Sequence, residues 1–168
     1  MNRPILWQPS PARAEASTMA AFMRWLEKTR GHHFEDYNAL WEWSITDINS
    51  FWAAIWDYFQ IIGTRPDVFL KDRQLPGAKW APGAALNYAT QILRHANDKP
   101  DDTALIVRSE TFGDSRMTWS QLREQVASVA HALTQMGVTR GDRVTAILPN
   151  TETALIAILA TVSLGAIW

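Results

Sequence analysis

The chain has 168 residues, 47% of them hydrophobic and 20% charged, with a formal net charge of −1. That length suits one domain, or one small domain with part of another, and with this apolar share disorder is not the default reading. The charge balance leaves no basic excess for nucleic acid or an anionic membrane, and the absence of cysteine excludes disulfide frameworks and thiolate metal sites.

The N-terminal residues, Met1 to Trp7, hold no apolar run long enough for a secretory signal. Prolines at positions 4, 9 and 11 predict an extended arm over residues 1–16. Ser17 or Thr18 then caps a helix whose apolar face is Met19, Phe22, Met23 and Leu26, ended by Gly31. His32 and His33 follow. Adjacent residues of a helix point about 100° apart, so they do not share one metal, and they read as solvated loop residues. Tyr37 to Trp43 is a short aromatic segment broken by Ser44–Asp47, and Thr46 or Asp47 caps the next helix. There Ile48, Phe51, Trp52, Ile55 and Phe59 recur at helical spacing, with Trp56 widening the stripe. A stripe of this kind reads as core rather than as a ligand-stacking platform.

Residues 63–82 hold Pro66, Pro76, Gly77 and Pro82 and predict a long irregular connection. Within it Lys79-Trp80 could meet an anionic partner, although a bare lysine normally faces solvent. Ala85, Tyr88, Ala89, Ile92 and Leu93 form another helical face ending near Asn97. The polar break Lys99-Pro100-Asp101-Asp102 places a boundary near residue 99, giving a mostly helical module over 1–98 and a β/α layer over 99–168. Asp101-Asp102 reads as a solvated turn rather than an acid pair.

The layer opens with a strand over Thr103–Arg108, a turn at Phe112–Ser115 and a short return strand at Arg116-Met117. Thr118 and Gln121 form a capping box, with Met117 and Leu122 as the hydrophobic staple. Leu122, Val126, Val129, Ala130, Leu133 and Met136 make one apolar helix face, and Gly137 terminates it. After the Gly141-Asp142 turn, Val144–Leu148 reads as a buried strand, Pro149-Asn150 breaks it, and an apolar helix runs from about Glu152 to Leu164. Arg140 and Arg143 read as surface charges near a helix C-terminus. The stretch Ala154–Trp168 is shorter than the roughly 20 residues that span a bilayer and reads as a buried helix. Gly165-Ala166-Ile167-Trp168 reads as the beginning of a second parallel strand. The expectation is therefore the N-terminal part of a larger α/β enzyme, with the helix Ala154–Leu164 and the strand edges exposed and prone to association when the chain is alone.

No motif in the chain assembles a catalytic site. There is no Gly-x-x-x-x-Gly-Lys-Ser/Thr phosphate loop and no Gly-x-Ser-x-Gly elbow, and Pro149-Asn150-Thr151 lacks the glycines that let backbone approach a pyrophosphate.

Taken together, Met117–Leu122, Gly137-Val138, Gly141-Asp142-Arg143-Val144, Leu148-Pro149-Asn150, Leu159-Ala160 and Gly165-Ala166 resemble the opening of the adenylate-forming acyl-CoA synthetase superfamily. Phe51-Trp52, Pro76-Gly77-Ala78-Lys79-Trp80 and Leu86-Asn87-Tyr88-Ala89 are similar to the N-terminal region of its acetyl-CoA synthetase group. Leu6-Trp7, Pro9-Ser10, Phe22, Trp25-Leu26, Tyr37, Leu40-Trp41 and Trp43-Ser44 resemble the acetoacetyl-CoA synthetase branch more closely. The resemblance covers the whole chain. It implies a helical N-terminal module over 1–98, followed over 99–168 by the first, incomplete part of an AMP-binding α/β domain.

The implied reaction joins acetoacetate to ATP as an acyl-adenylate and then to CoA, with ATP, CoA and Mg²⁺ as the full-length family's cofactors. The alternatives are another short-chain acyl-CoA synthetase, such as an acetate–CoA ligase, or a non-catalytic interaction module. The family's phosphate loop, adenine and ribose contacts and catalytic lysine match no position here. No catalytic, cofactor-binding or metal residue is therefore carried over, and this chain alone is expected to be inactive and to bind no cofactor tightly. The implied partners are the remainder of the adenylating domain, a C-terminal domain and a small acid, without nucleic acid or membrane. The implied compartment is the cytoplasm, which the lack of cysteine fits. The aromatic stripe Phe51–Phe59 is expected to form part of the packing toward the adenylating domain and to help shape the CoA side.

Overall fold

A computed structural model describes residues 6–111 and 113–168. In chain order the elements are α1 (Pro11–Glu15), α2 (Thr18–Arg30), α3 (Tyr37–Thr46), α4 (Ile48–Tyr58), β1 (Gly63–Thr64), β2 (Leu70–Lys71), β3 (Lys79–Trp80) and β4 (Ala85–Leu86). They continue with α5 (Tyr88–Leu93), α6 (His95–Asp98), β5 (Thr103–Ser109), β6 (Gly113–Thr118), α7 (Trp119–Gln135) and α8 (Glu152–Ser163). These elements form two compact units. One comprises the described residues up to Ile61 together with Arg65–Ala84, and the other Ile62–Thr64 with Ala85–Trp168.

In the first unit the expected extended arm is partly wrong. Ser10 accepts from the Arg13 amide and Pro11 takes the first helical position, so α1 forms there. A proline at that position loses no hydrogen bond and already has the helical φ. The arm's first five residues lie outside the described residues. Ser17 caps α2, and Gly31 closes it in the left-handed conformation. Asp36 caps α3, which runs past the expected break at Ser44. The Ser44 and Thr46 hydroxyls donate back to the carbonyls of Trp41 (2.7 Å) and Glu42 (2.8 Å), which keeps them inside the helix.

Asp47 caps α4, accepting from the Ser50 amide at 3.1 Å. The aromatic stripe divides. Phe51 and Ile55 pack on the core of Phe22, Leu26, Leu40 and Ala54, whereas Trp52 and Phe59 are exposed, contrary to the core reading. Trp52 lies one residue round the helix from Phe51 and meets Trp80 edge-on, with ring centroids 6.1 Å apart. Asp57 joins α4 to α2 and to the following loop, through Arg30 at 2.5 Å and Arg65 at 3.3 Å.

The long connection is irregular apart from two-residue ladders. β2 pairs antiparallel with β3, Leu70 facing Trp80 and Lys71 facing Lys79. Asn49 fixes its entry by accepting from both the Phe69 and Leu70 amides at 2.8 Å.

In the second unit β1 pairs antiparallel with β4. Ala85 is thus in a strand rather than on the expected helical face, which begins at Tyr88 behind the Asn87 cap. β5 and β6 form an antiparallel hairpin from Thr103–Thr118 to Ser109–Gly113. Gly113–Ser115 belong to β6 rather than to the expected turn; Phe112 lies outside the described residues. The capping box is present: Gln121 N to Thr118 Oγ1 is 3.3 Å and Thr118 N to Gln121 Oε1 is 2.9 Å.

Leu122 and Val126 of α7 pack with Ala89 of α5 and with Ile156, Leu159 and Ala160 of α8. Met136 is exposed and does not extend that face. The expectation that Ala154–Leu164 lies exposed also fails, because α5 and α7 cover the side of α8 that carries Ile156, Leu159, Ala160 and Thr161.

The buried strand expected at Val144–Leu148 does not form. A single parallel bridge joins Arg143 to Ile167, Ile147 is fully exposed, and no ladder continues to Leu148 among the described residues. A parallel strand needs hydrogen-bonded neighbours and cover on both faces, and residues 145–148 have neither here.

Two substitutions test this packing. A Cβ on Gly63 would lie 2.5 Å from the Ala85 carbonyl oxygen and 2.8 Å from the Leu86 Cβ. Gly63→Ala is therefore expected to cost roughly 1–3 kcal/mol, read as a lower denaturation midpoint. Leu159→Ala, at a fully buried position, is expected to cost about 2–5 kcal/mol in the same measurement.

Candidate functional site

The second unit brings together the start of a β/α layer, and Asn87 is its main polar joint. Asn87 Oδ1 accepts from the Thr90 amide (3.3 Å) and caps α5. Its Nδ2 donates to the Val162 carbonyl at 2.7 Å and the Ser163 carbonyl at 3.5 Å. One side chain thus satisfies an orphan amide at the head of α5 and orphan carbonyls at the tail of α8. A shallow groove beside it is lined by Gly63, Asn87, Thr90, Arg140, Ser163 and Gly165. The Arg140 stem lies against Gly165, where an added Cβ would meet its Cγ at 3.1 Å. Its positive charge lies near the C-terminal end of α8, where cations are favoured.

The chain leaving α8 then meets the turn that follows α7. Gly141 donates to the Gly165 carbonyl (3.0 Å), Ile167 to the Asp142 carbonyl (2.7 Å) and Val144 to the Ile167 carbonyl (2.8 Å). This is the first register of a parallel pair whose crossover is α8. Asp142 stiffens the turn by accepting from the Thr139 amide (2.7 Å) and hydroxyl (2.8 Å). The amide bond first, and then the hydroxyl, hold its carboxyl below the usual carboxylate range. In the first unit, bonds from the Ser50 side chain and backbone do the same for Asp47.

A second cleft adjoins the N-terminus of α8, where Ser109, Ser115, Thr151, Glu152 and Thr153 converge. The Thr151 side chain makes no cap hydrogen bond there.

The other singled-out residues have structural partners. Lys79 pairs with Asp72 at 3.0 Å. His33 contacts Glu27 at 2.9 Å, and His32 sits among the rings of Phe34 and Trp43. The Asp101-Asp102 turn is exposed and serves α7 through backbone, its Pro100 and Asp102 carbonyls accepting from the Ser120 and Trp119 amides. No group of three or more His, Cys, Asp or Glu placed to hold a metal occurs among the described residues. Sequence reasoning missed the Asn87 joint, because its partners lie 75 and 76 residues away and no local spacing announces them.

Two family models match. The acetyl-coenzyme A synthetase N-terminus matches residues 37–92, and the AMP-binding enzyme model matches residues 92–168. Residues 92–168 thus belong to the AMP-binding enzyme family. The chain is 37% identical over 164 residues to the acetoacetyl-coenzyme A synthetase of Rhizobium meliloti, covering 97% of this chain and 25% of the relative. It is 35% identical to the malonamoyl-CoA synthetase of Penicillium aethiopicum, covering 98% of this chain and 23% of that relative. The solved structure of acetoacetyl-CoA synthetase from Streptomyces lividans superposes with a TM-score of 0.90 at 40% identity, over 99% of this chain and 26% of that one. The chain thus spans about a quarter of the length of the relatives it matches. Its fold corresponds to the N-terminal part of an adenylate-forming enzyme.

Asn87→Asp keeps the cap acceptor and removes the Nδ2 donor. It is expected to speed amide exchange at Gly165–Ile167 by several-fold while leaving Thr90 protected; equal loss at both places would reject the joint. The depressed Asp142 carboxyl contributes stability above its unfolded value of about 3.9, and that contribution is lost as pH falls through its lower folded value. The stability difference between wild type and Asp142→Asn is therefore expected at pH 7 and to vanish in strong acid, as read by denaturation across pH.

Proposed function

We propose that this chain is the N-terminal part of an ATP-dependent acid–thiol ligase that makes acetoacetyl-CoA. The carrying observation is the collinear match over 99% of the chain to one solved acetoacetyl-CoA synthetase at 40% identity. In this reading the acid's carboxylate attacks the α-phosphorus of ATP, releasing pyrophosphate and forming the acyl-adenylate. The CoA sulfur then attacks the acyl carbon and AMP leaves. When bound to the whole enzyme, Mg²⁺ would supply positive charge against the phosphates. Residues 1–98 form the acetyl-CoA-synthetase-type module and residues 99–168 the opening of the adenylating domain.

The part this chain plays is scaffolding. The Asn87 joint and the α5–α7–α8 core fix where the parallel pair begins. The exposed side of the aromatic stripe, Trp52 and Phe59, packs against segments that the relatives carry beyond this quarter, and it helps shape the CoA side. ATP, CoA, Mg²⁺ and a small acid are the ligands of the whole enzyme, and neither nucleic acid nor a membrane is a partner. The absence of cysteine supports a cytoplasmic location, and no helix among the described residues is long and apolar enough to cross a membrane.

A second reading, a ligase for another short acid, is favoured by the 35% identity to a malonamoyl-CoA synthetase over nearly the whole chain. The two differ in the acid alone.

The test is a chimera in which this chain replaces the matching quarter of the Streptomyces lividans enzyme. Thiol consumption with ATP, Mg²⁺, CoA and acetoacetate is expected to persist, and the isolated chain is expected to show none. A folded chimera that consumes no thiol with acetoacetate, acetate or malonamate would overturn the ligase reading. Turnover by the isolated chain would overturn the scaffolding role.

A further inference from the structure

We draw no further inference here: the strongest candidate, the apolar groove of about 230 Å³ that Met19, Phe22, Leu40, Trp41 and Ile55 line between α2, α3 and α4, is an open apolar face, and nothing in the structure shows what covers it.

Discussion

Burial of α8 is the constraint on which the second unit depends. Its sequence, Glu152 to Ser163, carries a single charge, at its first residue, so water is a poor solvent for nearly all of it. Leu159 and Ala160 reach zero exposure because Ala89 of α5 and Leu122 and Val126 of α7 close over them. Small side chains at 89 and 160 let the helices approach, and Leu122, Ile156 and Leu159 fill the space between. The capping box at Thr118 and the carbonyls of the 100–102 turn satisfy the first amides of α7, so the helix that covers α8 starts at a defined residue. With α8 seated, its C-terminal end falls where the Asn87 side chain and the Gly141 turn bind its exit.

How much of this was legible in the sequence depended on how local the signal is. Caps at Ser17 or Thr18, at Thr46 or Asp47 and at Thr118, and the stops at Gly31 and Gly137, involve neighbours within a few residues; the structure has each stop and the Thr118 cap, and it selects Ser17 and Asp47 from the pairs. The strand at Thr103–Arg108 was equally plain. Readings that required knowledge of distant partners fared worse. The aromatic stripe of α4 looks uniformly apolar, yet Trp52 on its shoulder stays exposed, meeting Trp80 only edge-on. Val144–Leu148 had the composition of a buried strand but lacks the neighbours that would make it one. The converse holds for α8, for which the sequence predicts exposure because no local spacing brings together the covering faces of α5 and α7. Asn87 stands within the Leu86-Asn87-Tyr88-Ala89 motif, which carries no sign of the distant carbonyls it binds.

The same distinction separates fold from chemistry. The cleft at the N-terminus of α8 lies beyond Leu148, on the carboxyl side of the parallel pair, where open α/β sheets gather ligands. Its described lining combines the hydroxyls of Ser109, Ser115, Thr151 and Thr153 with Val107, Gly113 and Pro149, and its one charged residue is Glu152. A carboxylate there repels triphosphate, and the Pro149-Asn150-Thr151 turn offers no glycine for close backbone approach. In the proposed ligase, the charge of ATP must then be met by groups supplied from outside this stretch. That requirement agrees with relatives about four times as long as their matching region. What the chain contributes is the register in which the sheet starts: three backbone bonds among Gly141, Asp142, Val144, Gly165 and Ile167, held by Asp142 on one side and Asn87 on the other. A one-residue slip in that register would turn every following side chain to the opposite face. In the proposed ligase, these backbone bonds set the face on which the side chains that follow the pair lie.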